Sequence, residues 1–155
     1  MIMLKRIDEK KKMIEEKRPL PKNTLKSIRE KLFLEWTYNS NAIEGNTLTL
    51  SETKVVLEDG ITIGGKTLKE HLEVVNHKEA IKYMEDIVRD NENLSERQIK
   101  NIHNLILKRI DDENAGRYRK EKVVISGAEH TPPDPFLVPE KMESLINWYY
   151  KDSQE

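Results

Sequence analysis

At three places in the chain a hydroxyl residue is followed, three positions on, by Glu or Gln and then by apolar residues at helical spacing: Thr49–Glu52, Thr67–Glu70 and Ser95–Gln98. In such a capping box the hydroxyl accepts from the backbone N–H at N3. The N3 side chain accepts in return from the N-cap N–H, so two donors orphaned at a helix start are satisfied together. Three helix starts so closely spaced commit most of the chain to helix. They also divide the sequence into segments whose apolar stripes can be read one by one.

A first predicted helix carries Leu4, Ile7 and Ile14 and is ended by Pro19 and Pro21. A second starts at Asn23 with Leu25, Ile28, Leu32 and Trp36 on one face. It runs to Glu44, where Gly45 suits the C′ position. Thr49 opens a short helix that stops near Gly60, and "ITIGGKT" is a turn. Thr67 opens a long helix through about Arg89, apolar on more than one side (Leu68, Leu72, Val75 and Met84, then Val74, Ile81 and Val88), as suits the centre of a bundle. Ser95 opens a further helix bearing Ile99, Ile102, Ile106 and Ile110 that ends before "NAG". The pattern then changes: Val123, Val124 and Ile125 are β-branched, Ser126-Gly127 is a turn, and prolines follow at 132, 133 and 135. This predicts a β-hairpin or strand-like flap leading into an extended loop. Pro139 suits the first turn of a last helix with Met142, Leu145, Ile146 and Tyr149. Residues 1–20 read as an N-terminal helical arm and residues 21–155 as one domain.

Composition narrows the function. Lys and Arg (27) nearly cancel Asp and Glu (28), a balance that argues against a chain whose main work is coating nucleic acid. There is no cysteine, which excludes disulfides, thiol nucleophiles and thiolate metal sites. The apolar start "MIML" meets charge after four residues, too soon for a signal peptide or for a span of about 20 apolar residues. A soluble, cytoplasmic protein is expected.

The chemistry-bearing residues are few. His71 and His77 lie six apart on one helix and do not share a face, so no joint metal site is expected. His103, among apolar residues, is expected to be hydrogen-bonded and partly buried, and His130 lies beside the flap prolines. "GGKT" at Gly64-Gly65 falls short of a phosphate-loop spacing, and a turn before a capped helix accounts for it. Lys108, Arg109, Arg117, Arg119, Lys120 and Lys122 form a basic cluster. It reads either as a solvated face near a helix C-terminus or as an anion-facing rim beside the flap. One stretch, "NSNAIEGNTLTLSET", is poor in charge yet carries Glu44 directly before Gly45, and periodicity does not explain that acid.

Ser40-Asn41-Ala42-Ile43-Glu44-Gly45, then "NTLTLSET", "EVVNHKEA" and "NAGRYRKEKVVISGAEHTPPDPFLVPEKMESLINW", taken in this order, resemble the Fic (filamentation induced by cAMP, or Fido) family. The resemblance runs from about Leu25 to Tyr149. It implies a mainly α, Fic-like helical bundle with one short β-hairpin flap. It implies a protein adenylyltransferase that moves AMP from ATP onto a hydroxyl of a target protein, with Mg²⁺. By the same resemblance Val123, Val124, Ile125, Ser126 and Gly127 are the flap that binds the target by strand addition. Ser40, Glu44 and Gly45 would be the inhibitory motif. Glu44 would pair with a catalytic-loop arginine that otherwise holds the γ-phosphate, a competition of carboxylate and phosphate for one planar cation.

The family's catalytic loop, H-x-F-x-[D/E]-G-N-G-R-x-x-R, does not occur in these 155 residues. There is no Gly-Asn-Gly, and "HTPPDPF" lacks the spacing. In family members the loop follows the helix that here contains Trp148. The resemblance therefore implies the N-terminal portion of a Fic-type enzyme, truncated before its catalytic loop, with no catalytic or metal residue of its own and inactive alone. ATP and Mg²⁺ would serve the complete family protein. Expected partners are a target protein and the rest of a Fic core, with no membrane and no nucleic acid, and homo-oligomerisation stays open. Two other readings stand beside this one: a non-enzymatic regulator presenting Glu44 in trans to a complete Fic core, and a helical interaction module.

Overall fold

All three capping boxes form in the computed structural model, which describes residues 2–152. Thr49 N donates to Glu52 Oε2 at 2.7 Å, Thr67 N to Glu70 Oε2 at 2.8 Å and Ser95 N to Gln98 Oε1 at 2.9 Å. The elements are α1 (Ile2–Glu15), α2 (Lys22–Ile43), α3 (Leu50–Asp59), α4 (Leu68–Arg89), α5 (Glu96–Leu107), a 3₁₀ turn (Pro135–Leu137) and α6 (Val138–Asp152). The chain divides into two compact units, Met1–Trp36 and Thr37–Glu155, with α2 running through the division.

The first unit is open to solvent along its apolar residues. Ile7, Met13 and Ile14 of α1 and Leu25, Ile28 and Leu32 of α2 are all exposed. The side chain of Leu4, predicted to join the α1 stripe, lies outside the described residues.

In the second unit α4 is the central helix, packed against α3 and α5, and α6 packs on α5. Leu48, Val56 and Val74 form the core, with Leu57, Ile63 and Val75 against them. Ala80 and Ile81 are buried further along α4, whereas Leu68 and Val88 at its ends are exposed. The wide apolar arc of α4 thus overstates its burial: its middle is central and its ends protrude.

The buried polar residues of this unit nearly all have partners, as burial demands. His71, 7% exposed, accepts at Nε2 from Ile63 N (2.8 Å) and meets Thr67 O at Nδ1 (2.7 Å), which fixes it as a neutral structural histidine protonated on Nδ1. Asn76, 3% exposed, donates to Ile106 O at 3.0 Å and Lys108 O at 2.7 Å. It thereby caps α5 from α4. α5 ends at Leu107, short of its predicted end, because these carbonyls go to Asn76 and Arg109 turns to φ +62. Ile110 falls in the following turn. His103 is exposed rather than partly buried, with Nδ1 accepting from Gly116 N at 3.0 Å.

The expected β-hairpin is absent: no residue described here is in a strand. Val123, Val124 and Ile125 adopt no regular secondary structure, and Ala128 N donates to Ile125 O (3.2 Å) to close a turn at Ser126-Gly127, where Gly127 takes φ +78. β-Branched residues favour extended backbone, but a strand exists only as a ladder with a facing edge. The return leg here carries prolines 132, 133 and 135, which have no N–H to donate. The segment is held at its base instead. Arg119 Nη2 donates to Pro133 O, and Lys122 pairs with Asp134 at 2.9 Å.

Asn76→Ala leaves two helix-end carbonyls without their buried donor. It should cost about 1–3 kcal/mol of stability, read as a lower urea midpoint with an unchanged slope.

Candidate functional site

Glu44 owes its position to the way α2 ends. Asn46 N donates to Asn41 O at 3.0 Å and Gly45 N to Ala42 O at 3.1 Å, with Gly45 at φ +93. These are the two bonds of a Schellman C-cap, with Gly45 at C′ supplying the left-handed residue. Glu44 is therefore the last residue before the chain reverses, and its side chain is exposed. Behind it Asn41, 8% exposed, donates to Thr37 O at 2.8 Å.

The residues immediately after the cap are clamped onto the start of α4. Asn46 is buried: its Oδ1 accepts from Leu48 N (3.0 Å), and its Nδ2 donates to Glu70 O and to Glu73 Oε2, both at 2.9 Å. Thr47 donates to Glu70 Oε1 from Oγ1 (2.5 Å) and from its backbone N (3.0 Å). Lys66 Nζ closes over Thr47 O (2.5 Å) and Oγ1 (2.9 Å) and lies 3.9 Å from Glu52. Glu70 thus accepts from four donors, two at Thr47 and two at Thr67. The Thr47 hydroxyl first, then the Thr67 backbone and hydroxyl and the Thr47 backbone, hold its carboxyl down at about 2.

The motif borders an open depression of about 900 Å³. Ser40 and Ile43 of α2 and Glu44 just after it line it, with Lys69, Glu73 and His77 from α4, Leu107 from the end of α5 and Ile110 from the turn that follows. Ile43 is 83% exposed. His77 Nδ1 meets Thr37 Oγ1 at 3.2 Å, and burial lowers its pKa. Lys69 is engaged with Glu73 at 3.7 Å. Among the described residues no cation pairs with the Glu44 carboxylate.

The structure brings Ser40 and Glu44 to one rim and leaves the flap residues Val123 to Gly127 outside it, exposed to solvent. Among the described residues no group of three or more His, Asp or Glu could hold a metal ion, and none of their helices is long and apolar enough to cross a membrane. Sequence reasoning missed Asn46, Thr47, Lys66 and Glu73, and read Glu70 only as a capping residue. The available signal was their place directly after Gly45 and around the second capping box; the pairing between them spans too much chain to read from spacing.

A mainly helical domain with an exposed acid at a glycine-capped helix end, clamped to a central helix, is the class that fold and site define. Residues 93–155 match the model of the Fic/DOC family. The chain is 34% identical over 157 aligned residues to Protein adenylyltransferase Fic of Nematostella vectensis, covering 99% of this chain and 35% of that protein. It is 33% identical to Protein adenylyltransferase fic-1 of Caenorhabditis elegans, covering 81% of this chain and 25% of that one. Among solved structures, a Fic-domain-containing signaling protein of Bacteroides thetaiotaomicron aligns with a TM-score of 0.79 at 32% identity, over 88% of this chain and 53% of that one. Fic-1 of Caenorhabditis elegans aligns with a TM-score of 0.76 at 26% identity, over 99% and 46%. The Fic/DOC family match thus falls on residues 93–155, and the chain spans about a third or less of the curated relatives it matches.

The clamp carries a pH signature. A carboxyl depressed in the folded state binds protons more readily when unfolded, so its contribution is present above the unfolded value and is lost as pH falls through the folded one. For Glu70 that window runs from 4.5 down to about 2. Thermal unfolding followed between pH 6 and pH 2 should show the wild type losing stability through this window. Glu70→Gln should start less stable at pH 6 and lose less on acidification; parallel curves would remove Glu70 from the clamp.

Proposed function

We propose that this chain is the regulatory and target-facing portion of a Fic-type protein adenylyltransferase, with Glu44 as its inhibitory acid. The observation that carries this is the exposed, cation-free Glu44 carboxylate on the rim of the depression, held there by the Schellman cap and the Glu70 clamp. The family match and the adenylyltransferase relatives support the reaction class. A carboxylate fixed at a helix end can claim a guanidinium from a catalytic loop packed against the rim. While it does, that cation is withheld from a triphosphate, since both anions use the same bidentate face.

Ser40 sits one helical turn before Glu44 on the same rim, and Gly45 makes the turn possible. The irregular segment Val123 to Ile125, with Val124 89% exposed, is the part we assign to the target protein. Its exposed apolar side chains, and backbone that joins no sheet ladder, suit an extended peptide. ATP and Mg²⁺ are the co-reactants of the family, but the residues described here fit neither. They offer no carboxylate and imidazole cluster for the ion and no run of glycine N–H groups for a triphosphate. Both are assigned to the remainder of a Fic core. The cysteine-free composition supports a reducing, cytoplasmic setting.

Incubated alone with labelled ATP, Mg²⁺ and candidate targets, the chain should transfer no label; robust labelling would overturn the assignment of catalysis elsewhere. Joined in one polypeptide to the catalytic segment of a Fic relative, Glu44→Gly should raise AMP transfer by about 10- to 100-fold. That range is the equivalent of the roughly 1.5–3 kcal/mol of a hydrogen bond to a charged group. Equal rates with and without the substitution would sink the inhibitory role.

A further inference from the structure

The cations grouped in sequence between Lys108 and Lys122 part company in the structure. Lys108 pairs with Glu79 at 3.1 Å and Lys122 with Asp134 at 2.9 Å. Arg117 and Arg119 have no carboxylate partner among the described residues. Both line one cavity of about 390 Å³ between α5, the loop after it and α6, and no acidic side chain lines that cavity. Two guanidiniums without counter-ions in one concavity favour an anion there.

One further donor is available in the same space. His103 lines it, and because its Nδ1 accepts from Gly116 N (3.0 Å), the neutral ring carries its proton on Nε2 as an uncommitted donor. Arg119 spends Nη2 on Pro133 O, but its Nε is buried without a partner, a costly state for a donor on a cation. Lys100 reaches the rim with its charge already met by Glu96 at 2.6 Å, and it covers the Tyr118 ring at 4.2 Å. Burial, and then Glu96, push the Tyr118 phenol up to about 12, so it stays a neutral donor. Gly116 makes the arrangement possible. A Cβ there would sit 3.0 Å from Asn104 Cβ and 3.1 Å from Lys100 O, so only glycine brings the arginine-bearing loop this close to α5. Beneath these donors Ile99 and Met142 form an apolar floor.

We propose that this cavity is a binding site for a small phosphate monoester with an aromatic or aliphatic body, the phosphate on Arg117 and Arg119 with His103, the body on Ile99 and Met142. A guanidinium pair matches phosphate oxygens, and the apolar floor rewards a body that free phosphate lacks. The site is separate from the Glu44 depression, and it stands whether or not the adenylyltransferase assignment does.

Phenyl phosphate is the probe, titrated at low salt by calorimetry and by NMR of the His103 ring, with inorganic phosphate in parallel. Phenyl phosphate should bind saturably at one site, move the His103 resonances and bind at least about tenfold more tightly than inorganic phosphate. Arg117→Ala, at an exposed side chain with no hydrogen bond or ion pair to the described residues, should weaken binding at least about tenfold with an unchanged far-ultraviolet spectrum. Met142→Trp, which fills the cavity from α6, should abolish binding. Absence of saturable binding, or binding that both variants leave unchanged, would overturn the site. Equal affinity for the two phosphates would overturn the apolar half of the assignment.

Discussion

One carboxylate joins the parts of the second unit that matter for function. Glu70 accepts from both polar groups of Thr67, which starts α4, and from both of Thr47, which lies three residues beyond Glu44. Four hydrogen bonds to one anion favour its charged form and hold two chain segments at fixed distance. Asn46 and Lys66 add bonds on either side of it, so the stretch after the helix cap has little freedom left. Leu48 can then enter the core beside Val56 and Val74. In the proposed role this matters because an inhibitory acid acts only from a defined place. The clamp, not the acid, supplies that place.

The core itself is lean in apolar residues and rich in paired polar ones. His71, Asn76, Asn41 and Asn46 are all buried, and each bonds backbone groups: His71, Asn76 and Asn46 at turns or helix ends, Asn41 within α2. Buried amides used in this way specify which ends meet, because a shifted register would strand a donor or an acceptor. They leave a unit with well-determined local geometry around open concavities, rather than one closed by a large apolar centre.

How far the sequence could be read differs by element, for physical reasons. Capping boxes are local chemistry, so Thr49, Thr67 and Ser95 marked their helices correctly, and Gly45 marked the end of α2. The end of α5 was misplaced because its carbonyls are taken by Asn76, a residue on another helix. The flap was misjudged for a related reason: Val123 to Ile125 have the propensity of a strand, but propensity supplies no pairing edge, and the proline-rich return leg removes one. The basic cluster between Lys108 and Lys122 was visible as composition, yet which cations are neutralised depends on Glu79 and Asp134.

The resemblance only directed attention to Glu44; the sequence alone determined the helical class, the helix starts and the glycine-capped end of α2. These are properties of neighbours three or four residues apart, where backbone geometry brings the partners together. Only the tertiary structure decided that Thr47 and Glu70, 23 residues apart, are one clamp, that the flap has no ladder, and that Arg117 and Arg119 share a cavity while Lys108 and Lys122 do not. Contacts at that separation depend on how whole helices pack, and spacing along the chain carries no record of it.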